Sequence, residues 1–132
     1  MKFLHSMIRA FDLEKSIKFY TELLGLKLSR KADLEDCKLY YLKDEITGVE
    51  IELTANFEKP ENKYVNGEAF GHFAFEVDNF DDFTKKVNKL GYKYLYEPFD
   101  IVLKGEKEVT KLRAAFMEDP DGNEIELIQK QI

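Results

Sequence analysis

Cysteine occurs once in this sequence and histidine twice, and no apolar run approaches the length of a membrane span. The lone thiol, Cys37, excludes an intrachain disulfide and falls short of any zinc-finger pattern, so it reads as a thiol without a chemical role. Basic charge is also in short supply. Against 26 Asp and Glu stand 20 Lys and Arg, giving a formal charge of −6 and a pI near 5.0. Nucleic acids and anionic membranes both want a basic surface, so neither is expected as a partner. The opening MKFLHSMIRAFD is interrupted by His5, Arg9 and Asp12 and does not read as a secretory signal. The expected setting is reduced and cytoplasmic, and the expected partner is a small molecule.

What the sequence does contain is a repeat. His5 begins HSMIRAFDLEKSIKFYTELLGLKL, and His72 begins HFAFEVDNFDDFTKKVNKLGYKYL. Each reads as a His-bearing strand, an acidic turn, an amphipathic helix, a glycine and a further strand. With one gap, Leu13 matches Phe80 and Gly25 matches Gly91. Each half then closes on the same four letters, Glu50-Ile51-Glu52-Leu53 and Glu124-Ile125-Glu126-Leu127.

A helix is predicted over Leu13–Leu24, with Asp12 as N-cap, Glu14 in its first turn, a stripe of Leu13, Ile17, Tyr20 and Leu24, and Gly25 at its end. A second is predicted over Phe80–Leu90, capped by Asn79 or Asp78, with Phe80, Phe83, Val87 and Leu90 as its stripe and Gly91 closing it. Strands are predicted over Lys2–Arg9, Leu39–Leu42, Val49–Thr54, Phe73–Val77, Tyr92–Tyr96, Leu112–Met117 and Glu124–Gln129, with a weaker one over Leu26–Arg30. DPDGNE is a turn, because Pro120 presets φ and Gly122 tolerates a positive φ. Asp100–Lys111 reads as a charged loop with no assigned place. The expected architecture is α+β: one domain over residues 1–132, with a β-α-β-β-β module at about 1–57, a linker at about 58–69 and a second module at about 70–132.

Strand parity selects a candidate site. Alternate residues of a strand point to opposite faces. If the apolar sets Leu4 and Ile8, Ile51 and Leu53, Phe73 and Phe75, and Ile125 and Leu127 pack on the helices, then His5, Glu52, His72 and Glu126 take the other face. One imidazole and one carboxylate per repeat make a donor set suited to a borderline divalent ion such as Ni²⁺, Co²⁺ or Zn²⁺. Glutamates on a strand are also the ordinary solvated side of a half-exposed sheet. What favours ligands is that the His and the Glu recur together in both halves.

Four stretches carry a family resemblance: LHSMIRAFDLEKSIKFYTELLGLKLSR, IELTANF, AFGHFAFEVDNF and AFMEDPDGNEIELI. Together they resemble glyoxalase I (lactoylglutathione lyase), of the vicinal oxygen chelate superfamily, over nearly the whole chain. The resemblance implies the glyoxalase/bleomycin resistance/dihydroxybiphenyl dioxygenase fold, with paired βαβββ modules forming a metal-binding cup. It implies His5, Glu52, His72 and Glu126 as metal ligands, the same four that parity selects. It further implies a homodimer whose sites each take two ligands from each subunit.

By the same resemblance Glu126 is the catalytic base, Glu52 its symmetry-related counterpart, and Arg9 and Asn56 bind the carboxylate end of a thiol substrate. Arg9 shares strand parity with His5, its plain alternative being a surface residue; without the family, Asn56 would read as a turn residue. The implied reaction turns the hemithioacetal of methylglyoxal and glutathione, or a related thiol, into an S-lactoyl thioester through an enediolate, detoxifying methylglyoxal. The compact chain resembles bacterial members that favour Ni²⁺.

Two departures bear on the thiol. LKGEKEVTK replaces a glycine-rich KGG, leaving Lys104 and Lys111 either as anion contacts or as part of a solvated loop. Phe57 stands where Trp is common. The alternatives keep the fold: an acyl-CoA epimerase or an antibiotic-inactivating thiol transferase using the same metal, or a metal-free drug-binding resistance protein.

Overall fold

The structure, a computed structural model, describes residues 1–131. The chain divides into two compact units, Met1–Asn66 and Gly67–Ile132, and the division falls inside the stretch expected to link the modules.

The first unit runs β1 (His5–Arg9), α1 (Leu13–Lys18), a π-helical turn (Phe19–Leu23), β2 (Lys27–Asp33), β3 (Cys37–Lys43) and β4 (Glu50–Asn56). The second runs β5 (His72–Glu76), α2 (Phe80–Lys89), β6 (Tyr96–Lys104), β7 (Val109–Glu118) and β8 (Glu124–Lys130). The two sheets have the same plan, ordered β1-β4-β3-β2 and β5-β8-β7-β6. In each, the His strand pairs in parallel with the closing Glu strand, and the remaining pairs are antiparallel. This is the expected α+β arrangement of two β-α-β-β-β repeats. Among the described residues no helix is long and apolar enough to cross a membrane.

Local chemistry explains the helices. The Asp12 carboxylate accepts from the Lys15 amide at 3.2 Å and starts α1. The predicted single helix Leu13–Leu24 is not one regular helix, because its second half widens into the π turn. The adjacent aromatics of that turn, Phe19 and Tyr20, are both at 0 % exposure. The buried stripe is therefore Ser16, Phe19, Tyr20 and Leu23, while Leu13, Ile17 and Leu24 are only half-buried. Of the two cap candidates for α2, Asn79 is the cap: its side chain accepts from the Asp82 amide at 2.8 Å. The Phe80 amide is taken by the Gln129 side chain of β8 at 2.7 Å, which ties the helix start to the sheet.

Each sheet carries a buried apolar row: Leu42, Ile51 and Leu53 in the first unit, and Ala115, Met117, Ile125 and Leu127 in the second, all at 5 % exposure or less. Burying a Leu or Ile fully stabilises by about 1.5–3 kcal/mol, so these rows fix which way the remaining side chains must point.

Two expectations are corrected. Tyr92–Tyr96 is not a strand: β6 starts only at Tyr96, and Tyr92 instead closes the helix end, its amide donating to Val87 O at 2.9 Å. Asp100–Lys111 is not a loop but the outer part of a β6–β7 hairpin, with pairs from Asp100↔Arg113 to Lys104↔Val109. The hairpin's charges mask its alternation, because the strands there are exposed on both faces and carry apolar and charged residues side by side.

Candidate functional site

The strand registers bring the candidate donors together in pairs. In the first unit Met7, Glu52 and Tyr41 lie abreast on β1, β4 and β3, with His5 one step along the same face. The His5 Nε2 is 2.8 Å from a Glu52 carboxylate oxygen. In the second unit Ala74, Glu126 and Phe116 lie abreast on β5, β8 and β7, with His72 one step along. Here the separation of His72 Nε2 from Glu126 is 3.8 Å. Each predicted His thus faces its predicted Glu, within its own repeat.

The two pairs differ in their surroundings. Glu52 is 9 % exposed and holds three side-chain contacts: His5, the Thr54 hydroxyl of its own strand at 3.3 Å, and the Tyr41 hydroxyl, which hydrogen-bonds it. Burial pushes the Tyr41 phenol above its ordinary range, and the hydrogen bond and charge of Glu52 push it further, while Arg30 partly offsets them. The Arg30 guanidinium stacks over the Tyr41 ring at 3.9 Å, and the ring meets the His5 imidazole edge-on at 5.6 Å. Glu126 is half-buried, and the ring opposite it, Phe116, meets His72 edge-on at 5.7 Å but has no hydroxyl to offer. Sequence reasoning assigns no role to Tyr41, Thr54 or Phe116; Thr54 shares parity with Glu52 on one strand, and Tyr41 and Phe116 line up with a candidate ligand only through the register.

The neighbouring Glu50 is employed elsewhere. Glu50 accepts from the Ser29 hydroxyl at 2.7 Å and lies 3.9 Å from the Arg30 guanidinium. Arg9 is exposed at the end of β1, opposite Thr54 and on the face that carries Glu52. Asn56 is half-buried at the end of β4, and its amide donates to the Tyr64 hydroxyl at 3.2 Å. Tyr64 in turn packs edge-on against Phe11, so Asn56 is held by the stretch that follows it. Lys104 and Lys111 are exposed on the β6–β7 hairpin, and Phe57 is exposed beyond β4.

The donor chemistry fits a divalent ion. Two donors bound to one such ion at about 2.0–2.2 Å each stand roughly 3 Å apart; the His5–Glu52 separation of 2.8 Å is near that spacing, and the His72–Glu126 separation of 3.8 Å is longer. Among the described residues no group of three or more His, Cys, Asp or Glu is placed to hold an ion, so each unit offers a pair.

Comparison with known proteins follows the same lines. Residues 2–127 match the family described as the Glyoxalase/Bleomycin resistance protein/Dioxygenase superfamily. The lactoylglutathione lyase of Escherichia coli O157:H7 is 40% identical over 136 residues, spanning 99% of this chain and 94% of that protein. Among solved structures, glyoxalase I from Zea mays matches with a TM-score of 0.79 at 37% identity, over 98% of this chain and 44% of that longer one. The trypanothione-dependent glyoxalase I of Leishmania major matches with a TM-score of 0.71 at 33% identity, over 98% and 86%. With its paired sheets, its repeated His–Glu pairs and these relatives, the chain belongs to the glyoxalase I (lactoylglutathione lyase) family of that superfamily.

Proposed function

We propose that the protein is a metal-dependent lactoylglutathione lyase, converting the hemithioacetal of methylglyoxal and a low-molecular-weight thiol such as glutathione into the S-lactoyl thioester. The observation that carries this reading is the His–Glu pair on each sheet, on the face opposite the buried Ile and Leu row, His5 with Glu52 and His72 with Glu126. As the family resemblance implies, the four-ligand set is completed in a homodimer, in which His5 and Glu52 of one chain work with the partner's His72 and Glu126. Ni²⁺ is the favoured ion, with Co²⁺ and Zn²⁺ as alternatives, and the cytoplasm is the favoured compartment.

The difficult step is removing a proton from a carbon beside a carbonyl. A divalent ion, when bound, supplies Lewis-acid stabilisation of the charge that builds on the substrate's two neighbouring oxygens. The chain's own residues do the rest. Glu126 takes the proton from one carbon and returns it to the next, first as base and then as acid, a role typically worth about 100- to 10,000-fold in rate. Glu52 is its counterpart across the repeat. Arg9 holds the carboxylate end of the thiol with its forked donors, and Asn56 adds an amide contact. Fixing that remote end orients the reacting carbons, which lowers the entropic part of the barrier.

Metal analysis of protein purified without chelator, coupled to thioester formation followed by ultraviolet absorbance, tests the reading. About one ion per site, loss of activity on stripping and recovery best with Ni²⁺ are expected. A protein that is metal-free as isolated and makes no thioester after reconstitution would remove the proposal.

A further inference from the structure

The repeat makes the two candidate carboxylates equivalent in backbone, yet the side chains around them are not. Tyr41 and Phe116 occupy matching places, each directly opposite its glutamate on the neighbouring antiparallel strand. Thr54 and Ile128 also match: each lies two residues beyond its glutamate on the same strand face. At both places the first repeat carries a hydroxyl and the second carries none.

The consequence is visible in the contacts. Glu52 is met by Tyr41, by Thr54 at 3.3 Å and by His5 at 2.8 Å. Tyr41 is itself held, because Arg30 stacks over its ring and His5 meets its edge. Among the described residues Glu126 has only His72, at 3.8 Å, which is beyond hydrogen-bond length.

We propose that Tyr41 and Thr54 are positioning residues that clamp Glu52 as a stationary metal ligand, and that the phenyl and aliphatic side chains of Phe116 and Ile128 leave Glu126 the mobility a proton carrier needs. The inference rests on the lyase reading and deepens it: two alike carboxylates acquire two roles through two hydroxyls. Fixing one ligand favours ion binding because its orientation is settled in advance. Leaving the other unheld favours proton transfer, because a carboxylate tied by several donors is slow to turn and gains less by accepting a proton.

The test uses the full-length protein stripped of metal and titrated calorimetrically with Ni²⁺ alone, beside steady-state kinetics. Tyr41→Phe with Thr54→Val should weaken Ni²⁺ binding by about tenfold or more, while the melting temperature without metal stays near that of the unmodified protein. Thr54→Val alone preserves shape and should show part of the loss, so the question stands even if the Tyr41 variant folds poorly. The reverse change, Phe116→Tyr, should leave KM unchanged and Ni²⁺ affinity no weaker but lower kcat several-fold, since a hydroxyl now holds Glu126. Unchanged Ni²⁺ affinity in the first variants, or an unchanged kcat in the last, overturns the clamp while the lyase stands. An unmodified protein that binds no Ni²⁺ and forms no thioester sinks the lyase reading itself, and the clamp with it.

Discussion

His5 lies opposite Glu50 in the parallel register of β1 and β4, yet its Nε2 reaches diagonally to Glu52, at 2.8 Å. The diagonal is available because Glu50 is drawn instead to Ser29, at 2.7 Å. The choice of glutamate is thus made by neighbours on β2, one strand beyond β3. His5→Gln should therefore lower Ni²⁺ affinity by at least about tenfold, measured by calorimetry on the stripped protein. Glu50→Gln should change it little. Equal losses in the two variants would mean that Glu50, not Glu52, is the partner.

Glu126→Gln should cut kcat by at least about 100-fold with the fold intact, because the amide keeps the shape but cannot carry the proton. Glu126 is half-buried and, among the described residues, makes no short hydrogen bond, so its loss has no structural reason to unfold the sheet. Thermal melting followed by circular dichroism checks the fold, and the thioester assay checks turnover. Near-normal turnover would take Glu126 out of the base role.

Much of this candidate site is legible in the sequence because the side-chain period of a strand is two. Once Ile51, Leu53, Ile125 and Leu127 were assigned inward, Glu52 and Glu126 had to point the other way, and they do. Tyr41 was not legible. It sits beside Tyr40, and the two necessarily face opposite sides, but only the pairing Tyr41↔Glu52 says which one meets the carboxylate. Register between strands distant in sequence is set by tertiary packing and turn geometry, neither of which a local pattern reports. The β6–β7 hairpin escaped for another reason. Its outer residues, among them Val102, Leu103 and Val109, are exposed, so no buried face imposes an alternation on the sequence.

Cys37 should be inert in the native protein. It is 5 % exposed, and burial first, then its hydrogen bond to Asp36 and the charges of Asp36 and Glu52, push the thiol above its ordinary range, outweighing Arg9. Only the thiolate is a nucleophile, so both access and ionisation are against reaction. A thiol-specific reagent at pH 7–8 should label the protein slowly, and at full stoichiometry only in denaturant. Rapid labelling of the folded form would contradict the burial.

Asp44 gives a pH dependence of defined sign. The Thr47 hydroxyl, at 2.7 Å, and the amides of Ile46 and Thr47 hold its carboxylate below the usual aspartate range, against a smaller opposing effect of burial. A carboxylate depressed in the folded state contributes stability above its unfolded pKa, about 4, and loses that contribution as pH falls through the folded value. Asp44→Asn preserves the turn's acceptor but not the charge. The stability gap between the parent and this variant, from urea melts, should be fully open near pH 7 and should close progressively below pH 4. A gap that widens in acid would reverse the sign.

The last prediction concerns how the four ligands are shared. Suppose each site takes His5 and Glu52 from one chain and His72 and Glu126 from its partner. A chain carrying His5→Gln and a chain carrying Glu126→Gln are each inactive alone, because every site of either homodimer has one defective half. In a mixed dimer the two defects fall into one site, and the other receives an intact half from each chain. With random exchange, half of the dimers are mixed and each regains one of two sites, so activity should return to roughly a quarter of the parent value. If all four ligands came from a single chain, no combination could assemble an intact site, and the mixture would stay as inactive as its components.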